Sequence, residues 1–218
     1  MTALVRYTVS GLVRSQRYLP PALLFVTAVV VLTTNDFGPL VGSYAGCALA
    51  QFVCLVWLTI TVVNTEDPIQ RSMTAVAAGS SQRVLLASVV TALGACACLT
   101  VVGTVYPIWG GRHTVTGAAV AVGVGAQLVA GLAGIAVGLV CSRLVVPRPG
   151  YALVVALGLI GVLIVIPPVP PIGPVMRLLS SERAPEAMVG PLLVQFAIAA
   201  AMLVIATVVT QSVARRRE

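Results

Sequence analysis

The sequence predicts an all-α membrane protein with six transmembrane helices, and three observations carry that expectation. Of 218 residues, 59% are hydrophobic and 9% charged, with a mean hydropathy of +1.05, whereas soluble domains carry roughly a quarter charged residues. The apolar residues form long runs separated by short polar or proline-rich stretches, and a run of roughly 20 apolar residues crosses a bilayer as a helix. The arginines are concentrated in alternate stretches, the asymmetry that orients a multi-pass chain. Residues 1–218 read as one transmembrane domain, because no polar stretch is long enough to close a core of its own.

Residues 4–18 are too polar to span and read as a helix lying in the membrane interface. At about 100° per residue, Val5, Val9, Leu12 and Val13 share one arc, while Arg6, Ser10, Arg14 and Arg17 fall in the adjoining one. Such a helix rests at headgroup level with its apolar side down, and Arg6, Arg14 and Arg17 meet the lipid phosphates. These arginines are too dispersed for a secretory leader, and no small-residue cleavage pattern follows, so no cleaved signal peptide is expected. Pro20 and Pro21 mark a break. The first span is set at 19–34, short for a crossing, and Asn35-Asp36-Phe37-Gly38-Pro39 reads as a tight turn.

The second span covers 40–63. It leads into the longest mid-chain polar stretch, residues 64–83, NTEDPIQRSMTAVAAGSSQR. This stretch holds two acids, two arginines, the helix breaker Pro68 and a Gly79-Ser80-Ser81 turn signal. The third span, 84–109, ends on Tyr106 and Trp109, where interfacial aromatics belong. A short loop with Arg112 and the only histidine, His113, follows; a lone loop histidine reads as solvated. The fourth span, 115–141, carries Ala130, Gly134 and Gly138 at four-residue spacing. That spacing lets two helix backbones approach closely in lipid, against a helix of the same subunit or of a second copy. A compact loop with Arg143 and Arg148 precedes the fifth span, 151–166. Residues 167–186 are proline-rich and mix apolar residues with Arg177, Glu182, Arg183 and Glu186, and read as short broken helices dipping into the outer leaflet, shielded by protein. The sixth span, 187–211, is followed by Arg215-Arg216-Arg217.

Six spans place both termini on one side. If that side is cytoplasmic, Arg6, Arg14, Arg17, Arg71, Arg83, Arg143, Arg148, Arg215, Arg216 and Arg217 lie inside and only Arg112, Arg177 and Arg183 outside. The lysine-free, Ala/Val/Gly/Arg-rich composition points to a GC-rich bacterium, and the expected location is its cell membrane.

Several function classes lose support. All thirteen cations are arginine, so the lysine of a phosphate-binding P-loop is missing and ATP hydrolysis by that route is not expected of this chain. The net charge of +7 suits anionic lipid; no aromatic-basic interleaving suggests nucleic acid. Cys47, Cys54, Cys96, Cys98 and Cys141 fall in apolar runs without a companion histidine and read as small buried packing residues rather than metal ligands. The spans hold Gln51, Gln127 and Gln195 but no ionisable group, which disfavours a proton- or ion-driven carrier. An intramembrane protease lacks its Ser-His pair, paired aspartates or zinc site.

The order of parts resembles the permease subunits of the type-2 family of ABC exporters. That family has an interfacial N-terminal helix, six spans, a coupling helix between spans two and three, a smaller one between spans four and five, and external re-entrant helices between spans five and six. Glu66 stands at the family's acidic exit from the second span. Ser72-Met73 resembles its Thr-Leu step, Ala75-Val76-Ala77 its apolar helix, and Ser80-Ser81-Gln82-Arg83 its turn into the third span. Arg71 replaces the usual glycine and Ser80 the usual proline.

The resemblance implies a permease that moves an amphipathic or apolar cargo outward and does no chemistry itself. Its partners are a separate ABC ATPase subunit, which binds the ATP and magnesium, and a second permease subunit; no cofactor resides on this chain. A helix near 70–78 offers Met73 and Val76 to a groove on the ATPase. Glu66, Asp67, Gln70 and Arg71 act at the rim, and Arg83, in the turn, and Arg143 complete the residues expected to couple to the ATPase. Rival readings are a non-transporting membrane anchor, or a small-solute channel or carrier.

Overall fold

The computed structural model describes residues 2–34, 40–110, 115–145, 149–165, 169–181 and 184–216. The expected turn at 35–39, Arg112, His113, Arg148, Pro167, Pro168, Arg183 and Arg217 lie outside the described residues. Among those described there are nine α-helices and no strand: α1 (Thr2–Ser15), α2 (Leu19–Thr34), α3 (Leu40–Val63), α4 (Pro68–Ala78), α5 (Ser81–Gly110), α6 (Gly117–Val140), α7 (Pro149–Val165), α8 (Ile172–Leu179) and α9 (Pro185–Arg215).

Four of these, α3, α5, α6 and α9, are long and apolar enough to cross a membrane, and the bent pair α1–α2 makes a fifth if counted as one span. The protein is therefore a multi-pass membrane protein. Helix α7 is strongly apolar but has 17 residues, or roughly 26 Å at 1.5 Å per residue, just under the thickness of the hydrocarbon layer.

The axes of α1 and α2 differ by 78°. The sequence places the break at Pro20-Pro21; the chain turns earlier, at Gln16, whose φ of 53° is left-handed. Both prolines lie inside the first turn of α2, where a missing N–H costs nothing because that donor has no helical partner. The apolar arc expected of α1 is divided. Leu12 is buried, while Val9 and Val13 remain exposed beside the arginines, since α1 leans on α5.

Helix α6 is the centre of the bundle, with its broadest interfaces against α3 and α9. The small-residue stripe explains the first of these. A Cβ added to Gly134 would lie 2.7 Å from the Phe52 carbonyl oxygen, and one added to Gly138 would lie 2.8 Å from that of Val56. No side chain fits there, so the stripe seats α6 on α3 of the same subunit. Apolar burial offers little drive inside lipid, and close dispersion contact replaces it. Higher up, Gly123 receives the ring of the fully buried Tyr44.

Four of the five cysteines are buried, in keeping with a packing role; Cys98 is exposed. It lies two residues from Cys96, roughly 200° around the same helix, and so faces outward. Between α3, α5 and α6 runs a buried polar ladder. Gln51 Nε2 donates to Thr100 Oγ1 at 2.8 Å, and Gln127 Nε2 donates to Thr104 Oγ1 at 3.3 Å. Both glutamine Oε1 atoms are buried without a partner.

Among its described residues the proline-rich region holds one short helix, α8, where several broken ones are expected. Helix α8 buries Ile172, Val175 and Leu179 against the bundle and turns Arg177 outward, packing on α3, α6, α7 and α9.

Candidate coupling site at the basic end of the bundle

The mid-chain polar stretch folds into a discrete helix because its ends are well marked. Asp67 is the N-cap with extended backbone, and Pro68 occupies the first turn, where its fixed φ suits a helix start. The side chain of Asp67 makes no capping bond; its carbonyl accepts the Arg71 N–H at 2.8 Å. The helix stops at Gly79, whose φ of 71° is left-handed and whose N–H donates to the Val76 carbonyl. Glycine takes this conformation without a Cβ clash. Arg83 reaches back from α5, and its Nη1 donates to the Ala78 carbonyl at 3.0 Å, satisfying an acceptor that the helix end leaves open. Helix α4 starts two residues before the expected Gln70 and ends at the expected Ala78.

Two long-range hydrogen bonds fix this region to the rest of the molecule. Gln70 Nε2 donates to the Tyr7 hydroxyl at 2.8 Å, joining α4 to α1. The Arg143 backbone N–H donates to Asn64 Oδ1 at 3.1 Å, joining the end of α3 to the turn after α6. With Arg83 against the end of α4 and the end of α9 beside the start of α5, the polar termini of α1, α3, α4, α5, α6 and α9 collect at one end of the bundle, and Arg6, Arg14, Arg71, Arg83, Arg143, Arg215 and Arg216 lie on those segments. Arg177 sits on α8, which packs beside the start of α9 at the other end.

Within this end a cavity of about 250 Å³ lies among α1, α3, α4 and α5, with Tyr7, Arg14, Glu66, Gln70, Arg71 and Ser88 in its wall. Burial there raises the Glu66 carboxyl above its ordinary range, and the Arg71 guanidinium only partly opposes it. Glu66 and Arg71 are half-buried, so they brace α4 from within, while Asp67 and Gln70 are exposed.

Beside the Gln70 tie, α4 presents apolar surface. Met73 is 68% exposed and Val76 83%, and Ala77 beside them is also open. Their spacing of three and four residues places all three on one face. On a helix otherwise flanked by polar residues, such exposed apolar side chains mark a surface that a partner or the lipid interface covers.

Most of the residues singled out in the sequence therefore meet here: Glu66, Asp67, Gln70, Arg71, Met73, Val76 and Arg83. Arg143 joins them through its backbone rather than its guanidinium. The three interfacial arginines are all exposed, and Arg14 also lines the cavity. Ala130, Gly134 and Gly138 lie apart, in the α3–α6 seam. Tyr7 and Asn64 were not expected. Asn64 opens the polar stretch, a position that hints at a capping role, but nothing in the sequence pairs it with residue 143.

Comparison with known proteins returns no matching family model, no similar characterised protein and no similar solved structure.

Proposed function

We propose that the chain is the membrane permease subunit of an ATP-driven exporter, worked by a separate ATPase that grips α4 from the cytoplasm of a bacterial cell. The observation that carries this reading is the construction of α4. It is a short helix that leaves Met73 and Val76 exposed and is hydrogen-bonded to α1 through Gln70 and to the start of α5 through Arg83. A lever needs a surface for a partner and a stiff connection to what it moves, and α4 has both. The clustering of arginines at the same end favours its placement inside the cell.

In this reading α2 and α7 complete a six-span layout, and a second permease subunit closes the pathway. Closure of the ATPases on ATP pushes α4, and the ties pass that displacement to α1 and α5. The Val-, Leu- and Ala-rich walls suit an amphipathic or apolar cargo. Magnesium and ATP belong to the partner, and the permease contributes no reacting group.

The test is co-purification of the chain with an ATPase encoded beside it. Binding by wild type, and its loss in Met73→Asp and Glu66→Arg with the membrane domain still folded, supports the proposal. Cargo movement without nucleotide, or ATPase binding indifferent to both changes, refutes it.

A further inference from the structure

Away from α4, the basic end of the bundle holds a second concavity of about 510 Å³ between the start of α5 and the end of α9, walled by Leu85, Leu86, Thr207, Val208, Gln211 and Arg215 among others. Its volume falls in the range of small-ligand sites, roughly 300–1,000 Å³. It opens sideways rather than into the bundle. Leu86 and Val208 in its wall are substantially exposed, and α9 is the least buried of the long apolar helices.

The groove has the polarity of a lipid molecule. Its walls are apolar along the helices, and its polar groups gather where α9 ends. Arg215 is the only charged side chain among the described residues lining it. Just above, the Gln211 amide nitrogen is sealed from solvent and has no hydrogen-bond partner. An unsatisfied amide donor one turn from the arginine calls for an acceptor between them. Terminal amide torsions are broad, so Gln211 can turn that donor toward the groove.

We propose that this groove binds an anionic phospholipid of the surrounding leaflet, its acyl chain along Leu86 and Val208 and its phosphate between Gln211 and Arg215. Arginine and an amide N–H together supply the donors a phosphate oxygen accepts. A leaflet lipid, rather than a soluble anion, matches the sideways opening and the apolar wall. The bound lipid would fill the gap between α5 and α9, which otherwise touch only sparingly.

The experiment is native mass spectrometry of the full chain in detergent. The protein is supplied with phosphatidylglycerol and phosphatidylcholine of identical chains. Wild type should retain phosphatidylglycerol preferentially. Arg215→Gln should lower that retention on the order of tenfold, the effect of losing one charge-assisted hydrogen bond. Val208→Trp, which fills the groove, should lower retention of both lipids, and Arg177→Gln at the opposite end should change neither. Equal retention of the two lipids by wild type overturns the proposal, as does an equal response to Arg215→Gln and Arg177→Gln. Arg215 is exposed, so its variant decides the matter even where Val208→Trp disturbs folding.

Discussion

Asn64 Oδ1 accepts the backbone N–H of Arg143 at 3.1 Å, across 79 positions of sequence. The Arg143 N–H lies just past the last turn of α6, and the side chain of Asn64, just past the end of α3, supplies its acceptor. The bond makes the ends of α3 and α6 a single support for α4. Asn64→Ala should lower thermal stability by about 1 kcal/mol, while Asn64→Asp, which keeps the acceptor, should recover most of the loss. Thermal unfolding of the three proteins in one detergent measures the difference.

The α3–α6 seam should be intolerant of bulk. Gly134→Leu or Gly138→Leu drives a side chain into the Phe52 or Val56 backbone and should cost more than about 2 kcal/mol. Gly158→Ala is the counterpart: nothing lies within 4 Å of its added methyl, and the gain in helix propensity should stabilise by up to about 1 kcal/mol. Monodispersity and melting temperature on size-exclusion chromatography report both.

Gln51 should be replaceable by an apolar residue of its shape. Its Nε2 bond to Thr100 is offset by a buried Oε1 with no partner, and Thr100 keeps its own bond to the Cys96 carbonyl at 2.9 Å. Gln51→Met should therefore shift stability by less than about 1 kcal/mol. Gln51→Ala, which leaves a cavity, should cost at least about 2 kcal/mol. Equal losses in the two variants would show that the amide bond itself holds the seam.

Glu66 should make stability depend on pH in a defined direction. Burial raises its carboxyl in the folded protein, so its contribution is fully present below the unfolded carboxylate pKa and is lost as pH rises through the folded value. Glu66→Gln should melt at about the wild-type temperature near pH 4 and above it near pH 7. The opposite order near pH 7 would mean that pairing with Arg71 outweighs burial.

Gly79 should be needed for the end of α4. At φ 71° an alanine pays about 1 kcal/mol in steric strain, so Gly79→Ala should raise hydrogen exchange across residues 76–80 and leave Gly134 and its neighbours unchanged.

The sequence by itself determined the class of this protein and the place of its most distinctive helix. Composition and the length of the apolar runs are properties of the chain alone, because hydrocarbon solvates each run independently of its neighbours. Pro68, Met73, Val76 and Gly79 likewise act within a turn or two, so the reach of α4 was legible almost to the residue. The turn at Gln16 was not, since the prolines that flag a break are equally at home inside a first turn.

Only the tertiary structure decided which surfaces meet. A stripe such as Ala130, Gly134 and Gly138 states that something approaches closely, yet in lipid an α3 of the same subunit and a helix of a second copy offer the same dispersion gain. The Tyr7–Gln70 and Asn64–Arg143 bonds are of this kind too. Each joins two ordinary polar residues whose pairing depends on where separate helices end, and helix ends are brought together by packing of the whole bundle rather than by any local pattern.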